Sequence, residues 1–355
     1  MDTRVASRRT GRRQGHISHH GVVRVGPLMS VPAVMRELGC DPEPLFRSAG
    51  FAVAQFDDAD ARIPYLAASR LIARCTEATA CEHFGLLVGQ RAGPSSLGVA
   101  GFLLRAAPDV KTALQDLVRH LGLHDDGGVP FVETAGEVSL LGYSIQQPGT
   151  QASGQIYDLS MAIGCNIMRA LCGETWRANE VLFARRRPDD PRPYERFFQA
   201  PLRFDAEQSA VVFPNRWLEH RPASADPLLH RHLEGEANAL HARQHADVAH
   251  DLRRLLHRLL STRKTSIASV ARQLGVHERT LNRRLRAEGT TFQREYEEVR
   301  YTVALQMLAD SRMTLAQIAA ALDYADASAF NRAFKRWAGI TPAQWRAQRA
   351  SRSNA

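Results

Sequence analysis

Apolar residues recur at spacings of three and four from Ser30 to about His124. The segments VPAVMRELGC, PYLAASRLIARCTEAT, HFGLLVGQRA and VKTALQDLVRHLGLH each place them on one helical face. Ser30 and Asp109 stand where helix N-caps belong, and Pro32 is tolerated in a first turn. The period then changes. PFVETAGEVSLLGYSI reads as a hairpin turning at Ala135-Gly136, with EVLFARR and LRFDAEQSAVVFP as further short strands. Between them, QIYDLSMAIGCNIMRALCG predicts a strongly apolar helix ending at Gly173. Residues 26–240 are therefore expected to be mixed, helices with a small sheet. Beyond Asp226, PLLHRHLEGEANALHARQHADVAHDLRRLLHRLL predicts a pair of helices or one broken helix, with a domain boundary in its polar, histidine-rich stretch at 240–250. His241, His245 and His250 approximate one helix face there, but no carboxylate or cysteine completes a metal site, so a solvated connector is expected.

From 250 to 349 the pattern is helical throughout, and it is written twice. TLNRRLRAEGTTF at 280–292 has a counterpart in AFNRAFKRWAGITP at 329–342. In the first copy Val270, Ala271, Leu274, Gly275, Val276 and Leu281 stand where a helix-turn-helix needs a small residue at the crossing, a glycine in the turn and apolar packing residues. Ile318, Ala319, Leu322, Tyr324 and Phe330 take the equivalent places in the second, at an offset of 48 before the turn and 49 after it. Thr314 and Gln317 form a capping box, and Met313 and Ile318 a hydrophobic staple. Thr341-Pro342 starts a final helix. FQREYEEVRYTVALQMLAD, unbroken by Gly or Pro, predicts one long helix between the copies. Such a strut would let the two second helices enter successive major-groove segments, ~34 Å apart on one face of DNA.

The polar face of the second helix offers Glu278, Arg279, Thr280, Asn282, Arg283 and Arg286 in one copy, and Ala327, Ser328, Asn331, Arg332 and Lys335 in the other. Arginine matches the O6/N7 edge of guanine, asparagine matches adenine, and Lys, Ser and Thr commonly hold phosphates. A solvated basic helix would explain one such face; two together point to DNA.

Charge supports this once it is divided along the chain. The net +9 splits into plus ten over 251–355 (19 Lys+Arg against 9 Asp+Glu), plus five over 1–25 (6 against 1) and minus six between them (21 against 27). A basic end beside an acidic middle suits a nucleic-acid module joined to a partner domain. Residues 1–25, rich in Arg, Gly, Ser and His without periodicity, are expected to be a disordered basic arm. No apolar run reaches the ~18 residues of a membrane span. Five cysteines without C-x-x-C spacing, and no secretory pattern, point to the cytoplasm. Cys165 and Cys172, seven apart on the apolar helix, are read as structural thiols, with a thiol sensor as the alternative.

The tandem unit, especially IAAALDYADASAFNRAFKRWAGITPAQWR, strongly resembles the DNA-binding domain of the AraC/XylS family of bacterial transcription regulators. Ala319, Phe330, Arg332, Phe334, Lys335, Gly339, Thr341, Pro342 and Arg346 sit at that family's signature positions, while Asp323 replaces a usual glycine and His277 a usual serine cap. RHLGLHDDG at 119–127, YERFFQAPLRFDAEQSAVVFP at 194–214 and ADPLL at 225–229 resemble the arabinose-binding-type regulatory domain of one branch of the family. The resemblance implies an α+β chain that binds a double-stranded DNA operator, senses a small-molecule effector, forms a homodimer and meets RNA polymerase. The alternative is a DNA-binding regulator without ligand control, whose first domain only dimerises. No cofactor, metal or catalysis is expected: no cysteine has the Pro-Cys-His-Arg context of alkyl transfer, and G-x-S-x-G, H-E-x-x-H and phosphate-binding glycine loops are absent. His120, His124 and Asp125, at the helix-to-sheet junction, are the candidates for polar lining of an effector pocket.

Overall fold

The computed structural model describes residues 21–244, 248–260 and 265–353. Strand β1 (Val22–Arg24) pairs antiparallel with β2 (Arg62–Pro64), enclosing α1 (Val31–Glu37) and α2 (Pro42–Ser48). Helices α3 (Tyr65–Thr79), α4 (Phe84–Gly89), α5 (Val99–Ala106) and α6 (Val110–His120) follow. Next come the hairpin β3 (Gly128–Ala135) and β4 (Val138–Ile145), then α7 (Ser153–Cys172). Strand β5 (Glu180–Leu182), α8 (Arg192–Phe198), β6 (Leu202–Arg203) and β7 (Ser209–Pro214) complete this half. The sheet order is β3-β4-β7-β5-β6, antiparallel except between β5 and β6. The α+β class expected from the change of period is the observed one.

The local chemistry accounts for these elements. Gly136 turns the hairpin with φ +58°, and Gly173 ends α7 with φ +92°, conformations that cost a glycine little. Asp109 caps α6 by accepting from Thr112 N at 2.7 Å. Ser30 occupies the cap position of α1 but makes no cap bond; its hydroxyl instead donates to the carbonyl of Val88 at 3.3 Å. Helix α7, buried along most of its length, lies on β4 and β7 and is crossed by α4. That crossing requires glycine: a Cβ on Gly85 would fall 2.1 Å from the Gln155 carbonyl oxygen, and one on Gly89 2.6 Å from that of Leu159.

The arm expected over residues 1–25 does not extend to residue 25. Residues 1–20 lie outside the described residues, whereas Val22–Arg24 is a strand with Val23 and Val25 buried, because β2 offers this apolar run a partner.

Helix α9 (Pro227–Gln244) packs on α5, with Leu103, Leu123 and Ala237 in one small cluster. Helix α10 (Val248–Leu260) opens a separate core, shared with α11 (Ile267–Gln273), α12 (Glu278–Ala287), α13 (Phe292–Asp310), α14 (Leu315–Ala321), α15 (Ala327–Ala338) and α16 (Pro342–Ser353). The strut predicted between the copies is α13. Of the histidine trio, His245 lies outside the described residues; among the described residues no three potential ligands gather for a metal.

Candidate nucleic-acid interface and effector cavity

Each copy of the repeat folds as helix, turn, helix. In the first, Ser266 caps α11 by accepting from Ser269 N at 3.2 Å, Gly275 turns the chain with φ +65°, and His277 Nδ1 accepts from Arg279 N at 3.3 Å. Histidine thus fills the serine cap position with a ring nitrogen. In the second, Thr314 and Gln317 exchange the bonds of a capping box, Asp323 takes φ +58°, and Asp326 caps α15 through Ala329 N at 2.6 Å. The left-handed residue of this turn is held from the strut. Arg300 donates to the carbonyls of Leu322 (2.7 Å) and Asp323, and its guanidinium lies 3.8 Å from the Tyr324 ring centroid. Packing fixes the inner faces: Val270, Ala271, Leu281 and Leu285 are buried in one copy, Ile318, Ala319, Leu322, Phe330 and Phe334 in the other.

The outer faces carry the predicted residues. Glu278, Arg279, Arg283 and Arg286 are exposed on α12, with Thr280 and Asn282 partly covered. Ser328, Asn331, Arg332 and Lys335 are exposed on α15, with Ala327 partly covered. Some other cations of this half are structural. Arg253 pairs with Glu295 (2.8 Å), Arg336 with Glu297 (2.9 Å), and Arg346 donates to the carbonyls of Leu308 and Met313. Arg272 and Arg294 are also exposed, on α11 and α13.

In the first half, α3, α6, α7, β1 and β4 line a cavity of about 120 Å³. Its walls are chiefly apolar, and its polar end is built from Tyr65, His124, Asp125 and Tyr143. The Tyr143 hydroxyl donates to the Asp125 carboxylate, which also accepts from Gly127 N at 2.7 Å; the Tyr65 hydroxyl lies 3.5 Å from that of Tyr143. Two glycines make this end: a Cβ on Gly127 would fall 2.0 Å from the Tyr65 ring, and one on Gly128 1.9 Å from the Tyr143 hydroxyl oxygen. Burial pushes the Asp125 carboxyl up to about 6, opposed by the bonds from Tyr143 and Gly127. Burial also pushes the His124 imidazole down to about 3, with Arg24 and Arg62 adding to the effect, so the ring is neutral at pH 7.

Of the three expected lining residues, His124 and Asp125 reach the cavity and His120 does not. After α6 the chain tightens into a single 3-10 turn, Leu121–Leu123, which swings His124 to the cavity side. His120 stays on the other side, 6.1 Å from the ring of His241, and burial pushes it down to about 4. Cys165 and Cys172 are both buried, and burial pushes each thiol up to about 12, away from the thiolate a sensor needs.

Against known families, residues 39–222 match the profile described as the arabinose-binding domain of AraC transcription regulators, and residues 270–348 match a helix-turn-helix domain. The chain belongs to the AraC family of transcription regulators. It is 30% identical to the HTH-type transcriptional regulator VirS of Mycobacterium tuberculosis, over 92% of this chain and 96% of that one. It is 28% identical to the ornithine utilization regulator of Pseudomonas aeruginosa, over 88% of this chain and 93% of the relative. Among solved structures, the transcriptional regulator CdpR of Pseudomonas aeruginosa aligns at 28% identity and a TM-score of 0.39, covering 74% of this chain and 85% of that one. The relatives are transcription regulators, and no described helix is long and apolar enough to cross a membrane.

In this AraC-family chain the helix-turn-helix half docks on the arabinose-binding-type half. Arg254 of α10, buried, donates to the main-chain carbonyl of Asp125 at 3.3 Å. Gln306 of α13 accepts from the Tyr157 hydroxyl (3.1 Å) and donates to the carbonyl of Ile145 (2.9 Å). Arg312 N donates to Asp205 at 2.6 Å, and the Ser153 hydroxyl donates to Asp310. Tyr143 borders both the first cavity and a second one, of about 100 Å³, between the sheet and α10 and α13. Tyr65, Tyr143 and Arg254 escape a reading of the sequence. The two tyrosines are 78 residues apart, and Arg254 is one of several cations on a basic amphipathic helix.

Proposed function

We propose that this AraC-family regulator reads an operator with α12 and α15, and that a small molecule held in the first half controls the reading. DNA contact is assigned to Glu278, Arg279, Thr280, Asn282, Arg283 and Arg286 in the first unit and to Ala327, Ser328, Asn331, Arg332 and Lys335 in the second. Residues 250–349 form the DNA-binding part, and the folded residues up to 240 the sensing part. One observation carries the assignment: both second helices pack an apolar face on the core and turn a polar, cationic face to solvent. Arginine and asparagine on such faces discriminate bases, and lysine contributes chiefly to the phosphate term.

Control by a ligand rests on the cavity whose polar end adjoins the helix opening the second half. The same reading includes a homodimer. Phe102 of α5 and Leu228 and Leu229 of α9 are exposed on two helices that pack together, an apolar face suited to a second copy. RNA polymerase is the further partner of a regulator that activates. Footprinting on the DNA flanking the chain's own gene, with and without candidate metabolites, tests the whole reading. Protection that appears, shifts or disappears with a metabolite supports it; a footprint indifferent to every metabolite leaves the dimer-only reading.

A further inference from the structure

We infer that the cavity of the first half is built for a compact, mainly apolar, uncharged molecule with a single hydrogen-bonding head, and not for a sugar. The inference rests on the effector reading above and supplies the chemistry of its ligand. Size comes first. A cavity of about 120 Å³ is close to the ~150 Å³ apolar cavity that takes up benzene in an engineered protein, so the space matches one ring and a small substituent.

The hydrogen-bonding supply is concentrated at one end, with the Ser160 hydroxyl of α7 as a further polar group on the lining. Leu28, Ile72, Leu117, Leu141, Ile163 and Ile167 offer only hydrocarbon. Of the three polar residues elsewhere on the wall, two are already committed: Ser69 donates to the carbonyl of Leu66 (3.0 Å), and Gln155 holds Gly85 N (2.7 Å) and the Glu82 carbonyl (2.7 Å), which leaves the Ser160 hydroxyl. The Asp125 carboxylate is occupied by Tyr143 and Gly127 N. What remains at that end is the Tyr65 hydroxyl, with one long contact to Tyr143, and His124, 4% exposed, whose Nδ1 has no partner.

A buried imidazole nitrogen without a partner is costly, and a ligand hydroxyl or carbonyl that reaches His124 and Tyr65 would remove that penalty. A sugar would bring several hydroxyls against aliphatic walls and leave most of them unpaired at a similar cost each. A carboxylate would meet Asp125 in a low-dielectric site, and an ammonium would have to displace Tyr143 from it.

The test uses the full chain and its own operator DNA. The probes are phenol and p-cresol as neutral rings with one head, toluene as a ring without one, benzoate as a charged ring, and L-arabinose. Thermal shift and calorimetric titration should show saturable one-to-one binding of the phenols and weaker binding of toluene, with no response to benzoate or arabinose. His124→Phe and Tyr65→Phe should each weaken phenol about tenfold and leave toluene unchanged. Ala68→Leu, which fills part of the cavity, should abolish both while the circular dichroism spectrum stays that of the parent.

Binding of arabinose or benzoate in place of the phenols overturns the inferred chemistry and leaves ligand control standing. No response to any ring, or phenol binding that survives Ala68→Leu in a folded protein, removes the cavity as the site. If phenol binds as described while operator affinity and footprint stay unchanged with and without it, the site chemistry holds and the control reading fails.

Discussion

Arg254 and Asp125 join the two halves at one atom pair: the guanidinium on α10 donates to the main-chain carbonyl of Asp125 at 3.3 Å, while the carboxyl of the same residue closes the polar end of the cavity. A ligand that moves the 125–128 segment therefore moves an anchor of the DNA-binding half. Replacing Arg254 by Met keeps much of the side-chain volume and deletes the bond. The expected outcome is operator binding that no longer distinguishes ligand-free from ligand-bound protein, where coupling of this kind typically gives a ratio of about 5–150. Titrating operator DNA with and without the bound probe, in parent and variant, checks it; an unchanged ratio removes this contact from the route.

Asp323 adopts φ +58° at the turn where the first copy has Gly275 at +65°. A non-glycine residue there carries strain that Arg300 opposes by holding the Leu322 and Asp323 carbonyls. Asp323→Gly should raise stability by up to about 1 kcal/mol, and Asp323→Val, with a β-branched side chain in the left-handed region, should lower it by at least as much. Urea midpoints of the two variants decide this.

His257 supplies a pH dependence. Burial pushes its imidazole down to about 3, with Arg253 and Arg254 adding to the effect, and Ser144 is its neighbour across the docking surface. The unfolded chain takes up a proton near pH 6.5 and the folded chain does not, so stability is full above that pH and falls on acidification toward 3. At pH 5 the loss from this one group is about 2 kcal/mol. His257→Gln should lose that much less between pH 7 and pH 5 in urea unfolding. Asp125 and Asp158, both pushed up to about 6, act oppositely between their ordinary carboxylate range and pH 6, and are the same in both proteins.

Lys335 is assigned to phosphate. Lys335→Ala should weaken every DNA sequence alike and flatten the slope of log K against log salt by about 0.9. Gel-shift titrations at several salt concentrations measure it; loss confined to the operator would instead give Lys335 a base-reading role.

The legible parts of this protein are the local ones. Gly275, the Thr314–Gln317 box and the three-and-four spacing of Ile318, Leu322 and Phe330 encode a turn, a cap and a packed face within a few residues of themselves. The hairpin at Gly136 and the end of α7 at Gly173 are equally local. The cavity is different. Tyr65 opens a helix and Tyr143 stands mid-strand, and what brings them together is the missing side chains of Gly127 and Gly128, which the chain spells only as a polar Asp-Asp-Gly-Gly run. His120 was drawn into the expected site by its nearness to His124, yet one 3-10 turn between them sends the rings to different sides. Arg254 looks like any cation of a basic helix until the docking of the two halves buries it.

The two-helix reading of DNA is tested most directly by hydroxyl-radical footprinting of the full chain on its operator, alongside Arg283→Ala and Asn331→Ala. The prediction is protection of two segments about 10 base pairs apart on one face of the duplex, with Arg283→Ala opening one segment and Asn331→Ala the other. Loss of the same base pairs in both variants, or a single protected segment in the parent, would contradict it.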